Sequence, residues 1–151
     1  MSRLRIALYQ PDIAGNTGAI LRLGACLGVG IEIVEPAGFD MSDRALKRAG
    51  MDYLEIAALK RHLDFAAFEA WRRSEGRRVI LFTTDAAERY TDFRFVETDV
   101  LLFGRESAGV PQGIHDAADA RLLIPMPGGG RSLNVALAAA MAAGEAMRQL
   151  G

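Results

Sequence analysis

One cysteine and two histidines stand among the 151 residues, and these shortages already exclude several chemistries. The lone Cys26 has no intrachain partner, so a disulfide-built domain is excluded and a reducing, cytoplasmic setting is expected. Because Cys26 falls in a helical pattern, a buried and chemically idle thiol is its expected state. His62 and His115 have no Cys or His companion at ligand spacing; both read as surface histidines, and no metal is expected. The longest apolar run, 135–144, is alanine-rich and too short for a membrane span, so no membrane partner is expected. The opening Met1-Ser-Arg-Leu-Arg5 leads into a strand without a signal-peptide pattern. A net charge of −1 excludes a uniformly basic coat for nucleic acid. Repeats, low-complexity tracts and linkers are missing too, so residues 1–151 read as one domain with room for a core.

What is present is an alternation of strands and helices. Residues 4–9, 31–34, 53–56, 78–83, 99–103 and 120–124 read as strands, several of them continuous apolar runs. Residues 16–27, 40–49, 64–75, 111–118 and 132–149 read as helices, with Asn16 or Thr17, Ser42 or Asp43, and Ser132 as caps. This predicts an α/β fold: a mainly parallel sheet buried by helices on both faces. The last helix has almost no polar residue between Val135 and Gly144, and a helix apolar all round must be buried all round. A small domain seldom encloses one helix alone, so a homodimer is expected, with this helix and helix 16–27 at or beside the interface.

The most informative stretch runs from Leu122 to Asn134: an apolar strand, Pro125, the glycines 128–130, then Ser132 before a helix. Open α/β sheets bind ligands at such turns, outside the carboxyl ends of their strands. A flexible loop before a capped core helix looks the same. Two further strand ends weigh against that reading, Phe82-Thr-Thr84 and Phe103-Gly-Arg-Glu106. If the three strands are neighbours, their loops line one cleft with an apolar floor and many backbone donors and acceptors. That composition suits an adenine or a nucleoside better than a bare phosphate.

Competing motifs fail on spacing. Gly104-Arg-Glu-Ser107 puts Arg105, not glycine, two positions before the serine, and no later Asp and His complete a hydrolase triad. Pro127-Gly-Gly-Gly-Arg-Ser132 lacks the lysine of a nucleotide phosphate loop. No pair of carboxylates suggests a glycosidase dyad. Basic residues cluster at Arg44, Lys47 and Arg48, at Lys60, Arg61 and His62, and at Arg72, Arg73, Arg77 and Arg78. Such clusters grip phosphates locally, or they are solvated helix faces.

Three blocks, in order, resemble the SPOUT class of RNA methyltransferases, and within it the small SpoU-type enzymes. Asn16-Thr-Gly-Ala-Ile-Leu-Arg22 is similar to the family's N-x-G-x-x-x-R. Leu102-Phe-Gly-Arg-Glu-Ser-Ala-Gly-Val-Pro111 is similar to its F-G-x-E-x-x-G-[VIL]-P. Ile124-Pro-Met126 with Ser132-Leu-Asn-Val135 is similar to its I-P-M and S-[LM]-N-[VL]-S. Pro36-Ala-Gly-Phe39, Arg48-Ala-Gly-Met-Asp-Tyr53 and Arg61-His62 look like the subgroup that methylates the tRNA wobble ribose. The departures are Ala136 at the family's last serine, an all-glycine loop before Arg131, and Gly144 where many relatives carry an aromatic.

The resemblance implies a C-terminal deep trefoil knot, an obligate homodimer, and S-adenosyl-L-methionine held bent by the knotted loops. It implies cofactor contacts from Phe82, Thr83, Gly104, Glu106, Gly109, Ile124, Met126, Ser132 and Leu133. Asn16, Arg22, Glu106 and Asn134 become the catalytic candidates; Arg44, Lys47, Arg48, Lys60 and Arg61 become candidates for the tRNA backbone. The implied reaction is transfer of the methyl group to the 2′-hydroxyl of the wobble nucleotide, position 34, cytidine or uridine. Ribosomal RNA as the acceptor, or a non-catalytic nucleoside- or RNA-binding module, are the alternatives. Guanidinium hardly ever loses its proton in proteins, so Arg22 is expected to stabilise the developing alkoxide rather than act as the base.

Overall fold

The computed structural model of the protein describes residues 3–52, 55, 56 and 58–151. Among the described residues, seven strands form one sheet: β1 (Arg5–Tyr9), β2 (Gly30–Val34), β3 (Leu59–His62), β4 (Val79–Phe82), β5 (Glu88–Arg89), β6 (Val100–Phe103) and β7 (Ala120–Leu123). The strand order is β3-β2-β1-β6-β4-β7-β5, and every pairing is parallel. Among the helices of the described residues are α1 (Ala14–Leu27), α2 (Asp43–Arg48), α3 (Phe65–Ser74), α4 (Gln112–Ala117) and α5 (Val135–Leu150).

Side chains alternate across a strand, and here both faces are covered, so the strands read as unbroken apolar runs. Leu4, Ile6 and Leu8 point to one face, where Ile20 and Leu21 of α1 meet Ala139, Ala142, Ala143 and Ala146 of α5. Ala7, Tyr9, Leu81 and Leu102 point to the other face, under Phe68 of α3 and Ile114 of α4. No described helix is long and apolar enough to cross a membrane.

Several local expectations are corrected. The final helix starts at Val135, not Ser132, because the Asn134 carboxamide oxygen accepts from Ala136 N at 2.8 Å and from Leu137 N at 3.4 Å. Ser132 therefore stays in the loop. Helix α1 starts at Ala14, so Asn16 and Thr17 lie within its first turn, and Ile13 at the cap position offers no side-chain acceptor. Cys26 is exposed, because it falls on the outer face of α1 together with Ala19, Arg22 and Ala25. Part of the strand expected at 53–56, Tyr53 and Leu54, lies outside the described residues, while Glu55 and Ile56 are helical. The third strand is instead Leu59–His62, an edge strand whose Lys60 and Arg61 are exposed.

His62 is not on the surface. It is 4% exposed, packs on Phe68 and Trp71, and its Nε2 lies 2.7 Å from Oε1 of the fully buried Glu32. The other Glu32 oxygen accepts from Arg5 Nε at 2.8 Å. The cluster from Arg72 to Arg78 is largely committed to the fold as well. Arg72 pairs with Glu69 and Asp119, Arg77 with Glu75, and Arg78 in a two-point contact with the buried Asp99 at 2.8 and 2.7 Å. Nor is α5 buried all round within the chain: Leu137 is 59% exposed and Met141 43%.

Candidate active site

Strands β6, β4 and β7 are neighbours, so the three loops singled out above leave the sheet side by side. Between them lies a cleft of about 490 Å³. Phe82, Thr83, Gly104, Glu106, Gly109, Ile124, Met126, Ser132 and Leu133 all line it, as do Asn16 and Asn134. The phenyl rings of Phe82 and Phe103 stack at 5.1 Å where β4 and β6 end, and they make the floor apolar. Arg105 and Ser107 of the second motif block line it too, and so does Ile13, which neither periodicity nor motif marks.

The loop after β6 is a tight hairpin. Arg105 N donates to Gly109 O at 2.9 Å and Gly109 N donates back to Arg105 O at 2.8 Å. A Cβ on Gly104 would come within 2.6 Å of the Gly109 backbone, and Gly109 itself has φ +66°. Glycine is required at both positions, for close approach at the first and a left-handed backbone at the second.

Glu106 turns towards α1, where its Oε2 accepts from Asp12 N at 3.0 Å and Ile13 N at 3.1 Å. It thereby supplies the acceptor that the start of α1 lacks. Asp12 takes a hydrogen bond from the Ser107 hydroxyl, and Arg105 Nη2 stands 3.6 Å from it. Burial, then the hydrogen bond and charge of Asp12, push the Glu106 carboxyl above its ordinary range. Hydrogen bonds to Glu106 and Ser107, then the Arg105 charge, hold Asp12 down at about 2.

Asn134 has a double task. While its oxygen caps α5, its Nδ2 donates to Asn16 Oδ1 at 2.9 Å, which ties α1 to α5 across the cleft wall. Arg22 is not brought to the same cleft. It lies six residues beyond Asn16, about 9 Å along the helix, and its Nε donates to Oε1 of the buried Glu55 at 2.6 Å. Its side chain is 63% exposed.

Arg44, Lys47 and Arg48 are exposed on α2. Arg61 bonds to the Met41 carbonyl and lies 3.4 Å from Asp43, so β3 and α2 present their cations on adjoining surface. Lys60 sits 4.9 Å above the Trp71 ring. The segment before α2 backs onto the cleft's wall, since Gly38 N donates to Pro11 O at 2.8 Å. Among the described residues, no cluster of three or more His, Cys, Asp or Glu side chains has the arrangement of a metal site.

An α/β protein with an apolar-floored cleft at the carboxyl ends of three adjacent strands, walled by backbone and amide groups, belongs to the class that binds nucleoside-like ligands. The particular family follows from comparison with known proteins. Residues 3–144 match the SpoU rRNA Methylase family. The chain is 60% identical over 148 residues to a tRNA (cytidine(34)-2'-O)-methyltransferase of Ancylobacter novellus, covering 98% of this chain and 94% of the relative. A solved structure concerned with the 2-OH methylation of C/U34 on tRNA is 44% identical, with a TM-score of 0.89 over 97% of this chain and 95% of the other. An AdoMet-bound rRNA methyltransferase from Sinorhizobium meliloti is 29% identical, with a TM-score of 0.85 over 98% of this chain and 57% of that one. The chain belongs to the SpoU methylase family and is a methyltransferase.

Proposed function

We propose that this protein transfers the methyl group of S-adenosylmethionine to the ribose 2′-hydroxyl of nucleotide 34, cytidine or uridine, in the tRNA anticodon loop. The observation that carries the proposal is the convergence of three loops, far apart in sequence, on one cleft. The cleft fits the cofactor: stacked phenyl rings suit an adenosyl group, and the Asn16 and Asn134 amides stand in its wall. The nine residues Phe82, Thr83, Gly104, Glu106, Gly109, Ile124, Met126, Ser132 and Leu133 are the ones we infer to hold it. Bound there, S-adenosylmethionine would supply a sulfonium methyl to the 2′-hydroxyl oxygen, its C–S bond breaking as the C–O bond forms to leave a neutral thioether, with the hydroxyl proton passing to an RNA phosphate.

The protein's own contribution is alignment, worth several orders of magnitude when two reactants are held in register. Asn16 and Asn134, bonded to each other, hold the wall on which the ribose rests. Arg22 stabilises charge developing on the 2′-oxygen. Since it stands off the cleft of its own chain, we infer that it serves the cleft of a second copy, in a homodimer. The exposed Leu137 and Met141 of α5, beside the outer face of α1, support that assembly. The C-terminal part is read as threaded into a deep trefoil knot; the support is that β6 and β7, consecutive in the chain, straddle β4. Arg44, Lys47, Arg48, Lys60 and Arg61 form the surface we assign to the RNA backbone.

The test is transfer of a labelled methyl group to tRNA transcripts, one of them carrying a 2′-deoxynucleotide at position 34. Transfer is expected to the ribose form alone, and Arg22→Lys, which keeps the charge and loses the planar fork, should lower kcat by about 100-fold. Transfer to ribosomal RNA instead, or to no RNA, would overturn the reading, and wild-type kcat in the Lys variant would end the role given to Arg22.

A further inference from the structure

We propose that Asp12 is a positioning residue for methyl transfer, because it clasps the 104–109 hairpin and so fixes the cleft mouth and the start of α1 as one unit. This rests on the function proposed above and adds to it a residue that none of the three motif blocks contains.

The contacts are reciprocal. Asp12, from the loop after β1, takes the Ser107 hydroxyl and faces Arg105 at 3.6 Å, both on the hairpin after β6. Glu106, from that hairpin, takes the N–H groups of Asp12 and Ile13 at 3.0 and 3.1 Å. Each carboxylate is thus held by donors of the other's loop. The two loops can meet because β1 and β6 are paired, with Leu8 opposite Phe103.

Two features show that this meeting is enforced. Gln10 carries φ +43°, a left-handed conformation uncommon for a residue other than glycine. It lies two residues before Asp12, at the end of β1. Behind Asp12 lies Gly38, where an added Cβ would come within 2.9 Å of the Asp12 Cβ. The backbone of the Gly38 turn thus packs closely on Asp12, whose side chain is only 16% exposed.

The clasp links the two halves of the reaction. The hairpin lines the cleft, and α1 brings Asn16 to the wall of that same cleft. A shift of either loop by an ångström would misalign donor and acceptor, and a misplacement of that size costs about 100-fold in rate. Among the described residues, Arg105 is the only cation within ion-pair range of Asp12, and Glu106 has none in range. Loss of the Asp12 charge therefore acts on Glu106 directly: its proton leaves at lower pH, and it becomes a full acceptor for the start of α1 at lower pH too.

The experiment compares the full-length wild type with Asp12→Asn and Asp12→Glu. It measures S-adenosylhomocysteine affinity by calorimetry, steady-state methyl transfer to tRNA from pH 5 to 9, and thermal melting. For Asp12→Asn we expect affinity about tenfold weaker, kcat down about 100-fold, and the acid limb of kcat/KM moved to lower pH. For Asp12→Glu, affinity, rate and limb should return close to wild type. An Asn variant equal to wild type in all three would overturn the proposal. So would one that loses affinity, rate and melting temperature together, with an unmoved limb and no rescue by Glu, since that is mere support of the fold. If Asp12→Asn does not fold, Ser107→Ala removes the other end of the same bond and should weaken affinity and turnover alike; an unchanged Ser107→Ala would then overturn the proposal. A wild type that binds no S-adenosylhomocysteine overturns the functional reading itself, an outcome distinct from every variant result.

Discussion

Gly104 carries more structural demand than its size suggests. The Gly109 backbone lies so near that a methyl group would sit 2.6 Å from one carbon and 2.7 Å from the next. Backbone atoms cannot turn aside as a flexible side chain can, so the hairpin itself would have to open. We expect Gly104→Ala to cost about 1–3 kcal/mol in melting experiments and to abolish the extra stability that S-adenosylhomocysteine confers on wild type. Retention of ligand-induced stabilisation in that variant would mean that the hairpin is not a cofactor wall. At this scale the sequence was most legible where a residue type leaves little choice, as at Gly104 and Gly109. It was least legible for ion partners. Arg72 contacts Asp119 and Arg78 contacts Asp99, and clustering along the chain carries no information about partners so remote.

Helix α5 shows how an element can be half satisfied. Four alanines are fully buried against the sheet and α1, while Leu137 and Met141 remain exposed on another face. Its far end is pinned inside the chain: Gln149 Nε2 donates to Phe93 O at 2.8 Å and its Oε1 accepts from Phe95 N at 3.0 Å. The exposed face is therefore a fixed surface and not a frayed end. We expect Leu137→Glu to raise the dimer dissociation constant by about 100-fold in sedimentation experiments while the monomer's helical content is unchanged. A wild type that sediments as a monomer at micromolar concentration would remove the assembly from the account. Elements were legible where both faces are buried, as those of β4 and β6 are. Edge strand β3 was missed because it puts Lys60 and Arg61 into solvent, and β5 because two residues, Glu88 and Arg89, hold no period. The start of α5 was misread because Ser132 and Asn134 are both good caps, and only the path of the loop chooses between them.

For the whole molecule, near-neutrality conceals an uneven surface. The net charge is −1, yet α2 and β3 bring Arg44, Lys47, Arg48, Lys60 and Arg61 to adjoining positions, and Arg61 is the stitch between them. Local density of cations, more than the total, sets how many phosphates are neutralised. Arg48→Glu should weaken tRNA binding at every salt concentration and reduce the slope of log K against log salt by about one, as read by filter binding or anisotropy. An unchanged slope would return this face to plain solvation. The parallel sheet and its paired layers were legible from strand–helix alternation, but its strand order was not, because no local pattern states which strand lies beside which.

That strand order has an evolutionary consequence. The sheet divides at the seam between β1 and β6: the first sixty-two residues build β1, β2 and β3, and the later ones build the other four strands. All nine residues assigned to the methyl donor come from the later half, while every cation assigned to the acceptor comes from the earlier. A lineage is therefore free to rewrite which RNA it reads without disturbing how it handles the donor, provided that the contacts sewn across the seam are inherited intact.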